Sequence, residues 1–226
     1  CFSTSATLCV CRTEGYDVIS PDSHQGGYLL GSHLKNLGCS SVCFVGRNVD
    51  RHRLDATSHQ RLAGFEMGLG RNVEEKHRIF IRQYNPADGA MAVSKYLEMD
   101  PRPQAVFCAS DDLAIGFAHG AGVHGLQPGR DFHLVGFDGQ ERSRHLPQGP
   151  LTTAAIPTEL AGQSAARFLL TRIAQPHIPV RHLQLGCTLI QGSTTGSLAA
   201  APQLRNHRQS ARASKTPARK AIPAGV

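Results

Sequence analysis

The sequence predicts an α/β protein built on a doubly wound parallel sheet. Short apolar runs with strand character alternate with helix-patterned segments of ten or more residues. Strands separated by helices of that length are joined by crossovers rather than hairpins, and so lie parallel. Composition agrees: 40% hydrophobic and 18% charged residues in a chain of 226 fit a globular core rather than a disordered or coiled-coil chain.

The elements follow in order. A helix is expected over about Gly27–Leu37. Ser41-Val-Cys-Phe-Val45, bounded by Gly38 and Gly46, reads as a buried strand. His59 to Arg71 places Leu62, Phe65 and Leu69 at helical spacing, with Ser58 as N-cap. Arg78-Ile-Phe-Ile-Arg82 is the next strand. Asn85-Pro86-Ala87-Asp88 then supplies a cap, a proline at the first helical position and an acid at the third, opening a helix to about Met99. Ala105–Ala109 is a strand, Asp112 to about Val123 a helix, and Phe132–Gly136 a strand closed by glycine. Thr158 caps a helix to Ala174 whose stripe is Ala161, Ala165, Phe168, Leu169 and Ile173, and one last strand runs from about Leu183 to Ile190.

Charge and cysteine usage narrow the class. The formal charge is +7, from 24 Lys and Arg against 17 Asp and Glu. Six of those bases (Arg205, Arg208, Arg212, Lys215, Arg219 and Lys220) fall after Ser197, where no acid occurs, leaving 18 bases against 17 acids in the body. The basicity therefore belongs to a tail rich in Ala, Pro, Ser, Gln and Arg, a composition that cannot bury a core. No apolar run approaches the roughly 18 residues of a membrane span. Seven cysteines in no regular framework point to a reducing, cytosolic compartment. Cys9-Val-Cys11 has no second pair at ligand spacing, so no metal is expected.

In doubly wound sheets ligands sit beyond the carboxyl ends of the strands, so function is sought there. Ser110-Asp111-Asp112 follows one strand and opens a helix; these side chains either cap it or face a ligand. Phe137-Asp138-Gly139 follows another, as a turn or as a carboxylate offered to hydroxyl groups. Arg61 falls in the first turn of its expected helix, against the macrodipole. It is either a solvated surface residue or a planar five-donor fork aimed into the cleft. No dinucleotide fingerprint, P-loop or nucleophile elbow is present, and the histidines lack partners at metal spacing, so an enzyme is not expected.

Taken together, these motifs resemble the effector-binding core of LacI/GalR-type bacterial transcription regulators. The resemblance rests on Asp22, Gly26-Gly27, His33-Leu34 and Leu37-Gly38, then Arg61-Leu-Ala-Gly-Phe65 and Ala105-Val-Phe-Cys-Ala-Ser-Asp-Asp-Leu-Ala114. It continues through Val135-Gly-Phe-Asp138 and Pro150-Leu-Thr-Thr153 to Leu189-Ile-Gln-Gly-Ser-Thr194, covering Asp17 to Thr194 in the family's order. It implies a periplasmic-binding-protein-like fold, here with one nearly complete lobe and part of a second. A small effector, of the carbohydrate class, would lie between the lobes, and the core would form a homodimer. Operator DNA would be met only by the full-length protein, through a helix-turn-helix absent from this N-terminally truncated chain.

By the same resemblance Arg61 and Asp138 hold effector hydroxyls, Ser110 and Asp111 stand at ligand-facing positions, Thr57 is a polar residue one turn before the arginine, and Gln25 belongs to the rim. Neither a cofactor nor a membrane is implied. Three positions depart from the pattern: Ser110 stands where Asn is common, Cys39 where His often follows Leu-Gly, and Gln191-Gly192 replaces an Arg-containing run. The shorter Ser110 lacks amide donors, so effector identity does not carry over. The expected organisation is an unassigned segment over 1–16, the effector core over 17–194 and a disordered basic tail over 195–226. The alternative sharing this fold is a periplasmic sugar-binding component of a transporter. The expected helices near Gly27–Leu37 and Thr158–Ala174 would both lack a covering sheet and expose apolar surface.

Overall fold

A computed structural model describes residues 8–9, 16–47, 56–196 and 198. Nine strands and five α-helices are named among them: β1 (Leu8–Cys9), β2 (Val18–Pro21), α1 (Ser23–Asn36), β3 (Val42–Arg47), α2 (Ala56–Leu69), β4 (Arg78–Ile81), α3 (Pro86–Glu98), β5 (Ala105–Cys108), α4 (Asp111–Val123), β6 (His133–Asp138), β7 (Thr152–Ala155), α5 (Thr158–Ala174), β8 (His182–Leu185) and β9 (Thr188–Ile190). They form two sheets. The larger has the order β4-β3-β5-β6-β7-β9, parallel except for β9; the smaller has the order β1-β2-β8. The basic tail beyond residue 198 and the Cys11 thiol lie outside the described residues.

The core of the larger sheet follows from the period-2 alternation of its strands. Val42, Phe44, Ala105, Phe107, Val135 and Phe137 point to one face, where Leu30 and Leu34 of α1 and Leu62, Phe65 and Leu69 of α2 cover them. Cys43, Val45, Val106, Cys108 and Leu134 point to the other, under Val93 and Tyr96 of α3 and Leu113 and Phe117 of α4. Both faces are covered, which is why these strands read as continuous apolar runs. Two of the expected helix starts form as capped. Asn85 caps α3 by accepting from the Asp88 N–H, with Pro86 in the first turn, and Ser110 caps α4 by accepting from the Leu113 N–H.

α1 and α2 touch backbone to backbone. A Cβ on Gly27 would lie 2.1 Å from the Arg61 carbonyl oxygen and one on Gly31 2.0 Å from that of Phe65. Reciprocally, a Cβ on Gly64 would lie 1.9 Å from the His24 carbonyl oxygen. This seam and the larger sheet cover the inner face of α1, so the expectation that the helix lacks a covering sheet is corrected: Leu30 and Leu34 are fully buried, while Tyr28 stays exposed. α5 does behave as expected. No residue of it is buried, and Leu169, Leu170 and Ile173 face solvent. It is fastened to the small sheet by charge: Arg172 and Arg181 each reach Asp17 at 2.8 Å, and Arg181 also lies over the Phe168 ring.

Further differences have tertiary causes. The run Leu183–Ile190 is two strands in two sheets, because the chain crosses between lobes at Gly186-Cys187. β2 and β7 carried no strong local signal. β7 is Thr-Thr-Ala-Ala, buried only because β6 and β9 flank it. β6 runs two residues past Gly136 to Asp138. α2 starts at Ala56, so Ser58 lies inside the helix with its hydroxyl on the Tyr84 hydroxyl rather than capping. Thr158 is the first residue of α5, following Pro157, and makes no cap bond.

Candidate functional site

The strand order reverses at β3: β4 was added on one side, β5 and its successors on the other. That reversal opens a crevice beyond the carboxyl ends of β3 and β5, where open α/β sheets bind ligands. Arg61, six residues into α2, enters this region. Its guanidinium donates to the Ala109 carbonyl at the end of β5 (2.5 Å) and to Asp138 Oδ1 at the end of β6 (3.0 Å). The same group lies 3.8 Å from the centroid of the Phe137 ring. Arg61 is 1% exposed, which excludes the solvated reading, and its Nε is buried without a hydrogen-bond partner among the described residues. Its place in the second turn of the longer helix also removes the dipole cost expected for the first turn.

Asp138 closes the pair. It has φ of +117°, a conformation an L-residue holds only when its surroundings impose it. Those surroundings are visible: its carbonyl accepts from the Ile156 N–H at 3.1 Å, and the following Gly139 (φ +73°) packs so closely on Ala155 that a Cβ would lie 2.4 Å away. Burial pushes the Asp138 carboxyl up to about 7, with Arg61 pulling down and the neighbouring Asp111 pushing up.

The other expected residues divide. Ser110 is buried, its oxygen capping α4. Asp111 is fully buried, and both its oxygens are engaged: Oδ1 accepts from the Thr153 hydroxyl at 2.6 Å and Oδ2 from the Gln140 N–H at 2.7 Å. Burial raises its carboxyl to about 6 against those bonds. Asp111 therefore ties α4 to the loop after β6 and to β7, while Asp112 pairs with Arg142. Thr57 is half-buried, one turn before Arg61. Gln25 makes no described hydrogen bond to either member of the pair; its carboxamide is bonded to the backbone of Cys187.

Tyr84 is a neighbour that sequence reasoning missed. It follows β4, packs against both cores, and meets the Ser58 hydroxyl three residues before Arg61. No local motif marks it, because its relation to α2 exists only in the folded sheet. Among the described residues no group of three or more His, Cys, Asp or Glu could hold a metal ion, and no helix is long and apolar enough to cross a membrane.

Two sheets joined by three crossovers, with a buried ion pair beyond the strand ends, define a two-lobed, periplasmic-binding-protein-like ligand-binding domain. Residues 32–195 match the family described as periplasmic binding protein-like domain. The chain belongs to this family, as part of its LacI-type branch of effector-binding cores. It is 33% identical over 160 residues to the HTH-type transcriptional repressor PurR of Mannheimia succiniciproducens, covering 70% of this chain and 46% of that protein. To the HTH-type transcriptional repressor MelR of Bacillus subtilis it is 30% identical over 193 residues, covering 82% and 55%. The structure of a LacI family transcriptional regulator from Enterococcus faecium with bound ribose superposes with a TM-score of 0.72 at 26% identity, covering 81% of this chain and 67% of that one. The chain spans about half the length of the curated relatives it matches.

Proposed function

We propose that this chain is the effector-sensing core of a LacI-type transcription regulator, binding a small uncharged polyhydroxyl ligand of the sugar class beside Arg61 and Asp138. The observation that carries this is the buried pair itself. Arg61 and Asp138 neutralise each other at 3.0 Å, so the site presents strong donors and acceptors with little net charge. A neutral polyol matches that balance, because each hydroxyl both donates and accepts; an anion would compete with Asp138 for the guanidinium. The ribose bound to the Enterococcus faecium regulator and the repressor names of the relatives support the same reading over a transporter component. Thr57 and Ser110 would add hydroxyl contacts and Tyr84 an aromatic face. Asp111 would act on the ligand only by holding the α4 terminus.

In the full-length protein, effector binding would change the relation of the two lobes and thereby the spacing of helix-turn-helix elements on operator DNA. The mechanism is non-covalent and cytoplasmic, with no catalytic step. The assembly would be a homodimer. A candidate interface is the groove of about 730 Å³ beside α4, lined by Ala87, Ala90, Ile115, His119 and the strongly exposed Val123, with the exposed Met91 next to Ala90. Calorimetric titration with neutral pentoses, hexoses, disaccharides and purine bases tests the ligand class. Saturable binding of one neutral compound, lost in Asp138→Ala, is expected; binding only of anionic compounds, or binding unaffected by that change, would overturn the reading.

A further inference from the structure

Three stretches of chain pass between the two lobes: Pro21-Asp22 from β2 into α1, Ile156-Pro157 from β7 into α5, and Gly186-Cys187 from β8 into β9. Their geometry sets the angle between the lobes. One side chain binds two of these stretches together. Gln25, in the first turn of α1, donates through Nε2 to the Cys187 carbonyl (3.2 Å) and accepts through Oε1 from the Cys187 N–H (2.8 Å). Its own N–H is held by Asp22 Oδ1 at 2.8 Å, the Asp22 N–H reaches the Leu185 carbonyl at 2.7 Å, and the Cys187 Sγ lies 3.6 Å from the Asp22 carbonyl oxygen. Both polar ends of the carboxamide are thereby committed to the backbone N–H and C=O of one residue, Cys187. That is a two-point hold, which fixes orientation as well as distance.

The next residues carry this hold to the effector pair. A Cβ on Gly26 would lie 2.5 Å from the Phe137 ring, the ring on which the Arg61 guanidinium rests. Gly27 follows, packed on the Arg61 carbonyl. The third crossover meets the other member of the pair, since the Ile156 N–H donates to the Asp138 carbonyl. We infer that Gln25 is a positioning residue that locks the α1 and β8–β9 crossovers together and so sets the angle between the lobes, rather than an effector contact. The relevance of that angle rests on the effector-sensing reading; the geometry does not.

The experiment uses the 226-residue chain without ligand. Spin labels are introduced through p-acetylphenylalanine at positions 67 on α2 and 170 on α5, both exposed and one in each lobe. Inter-label distance distributions are compared for Gln25, Gln25→Met and Gln25→Ala. Met keeps side-chain length without the paired hydrogen bonds. A shifted and broadened distribution in both variants is expected, whereas distributions superposing on the parent would overturn the proposal. A stability change alone does not move this distance, so a merely structural role is separated. If either variant fails to fold, amide exchange of Cys187 in the unmodified chain decides. Protection matching the β2–β8 ladder supports the hold, and exchange at the rate of an open amide overturns it. None of these readouts needs an effector, so loss of the sugar reading and loss of this one are told apart.

Discussion

Arg61→Met isolates the energetics of the buried pair. The substitution removes the bonds to Ala109 and Asp138 and the stack on Phe137, and leaves the Asp138 carboxyl buried without its cation. Breaking a buried pair from one side costs about 3–5 kcal/mol, because the remaining charge stays desolvated. The cost depends on pH. An acid whose folded pKa lies above its unfolded value, as for Asp138 at about 7, binds more protons folded than unfolded. Its favourable contribution is complete below about pH 4 and is lost as pH rises through the folded value. Losing Arg61 moves that folded value higher still. The deficit of the variant relative to the parent should therefore be largest at pH 8.5 and shrink at pH 5.5, where the carboxyl is protonated, by at least about 1.4 kcal/mol, the equivalent of one pH unit of titration. Urea unfolding at both pH values measures it, and Asp138→Asn added to Arg61→Met should recover a large part of the loss at pH 8.5. A deficit below about 1 kcal/mol, or one independent of pH, or strict additivity of the two changes, would refute the account of a buried and coupled pair.

Gly64→Ala and Gly162→Ala are the same substitution on two helices with opposite expected signs. At Gly64 the new Cβ meets the His24 carbonyl at 1.9 Å, and overpacking by about 1–3 kcal/mol outweighs the propensity gain. At Gly162 nothing lies within 4 Å, so the gain of about 1 kcal/mol stands; thermal melts of both decide. Arg181 and Arg172 hold the Asp17 carboxyl well below the usual carboxylate range, so its stabilising contribution is present above about pH 4 and lost as pH falls. Asp17→Asn should accordingly lower the melting temperature at pH 7 and make progressively less difference towards pH 3, and an equal loss at both would count against the pairing. Leu170→Lys with Ile173→Lys should reduce binding of a hydrophobic dye and leave the melt of the larger lobe unchanged, because both side chains already face solvent.

Much of the fold was legible because its signals act over a few residues. The Asn85-Pro86-Asp88 start of α3 and the Ser110 cap of α4 depend on bonds spanning three positions, and both form where the pattern places them. The buried runs of β3 and β5 declare themselves by being apolar on both faces. β7 does not, since Thr152, Thr153 and Ala154 are buried by their neighbours rather than by their own hydrophobicity. Nor does the break at Gly186-Cys187, where two short strands share one apolar stretch but belong to different sheets.

The candidate site shows the same division. Arg61 and Asp138 stand out in the sequence as an arginine near a helix start and an acid after a strand, yet each has an ordinary surface explanation. Only the sheet brings them together across 77 residues, at 3.0 Å and out of water. Tyr84 and the hold of Gln25 on Cys187 are of this kind too, the latter spanning 162 residues. By itself, then, the sequence determined the helices, the buried strands and the Asn85 and Ser110 caps, because propensity, periodicity and capping are local. Which strand ends adjoin, which polar groups lose their water, and which side chains distant in sequence pair with one another were decided by tertiary structure. Burial and pairing are properties of groups that meet only once the chain has closed on itself.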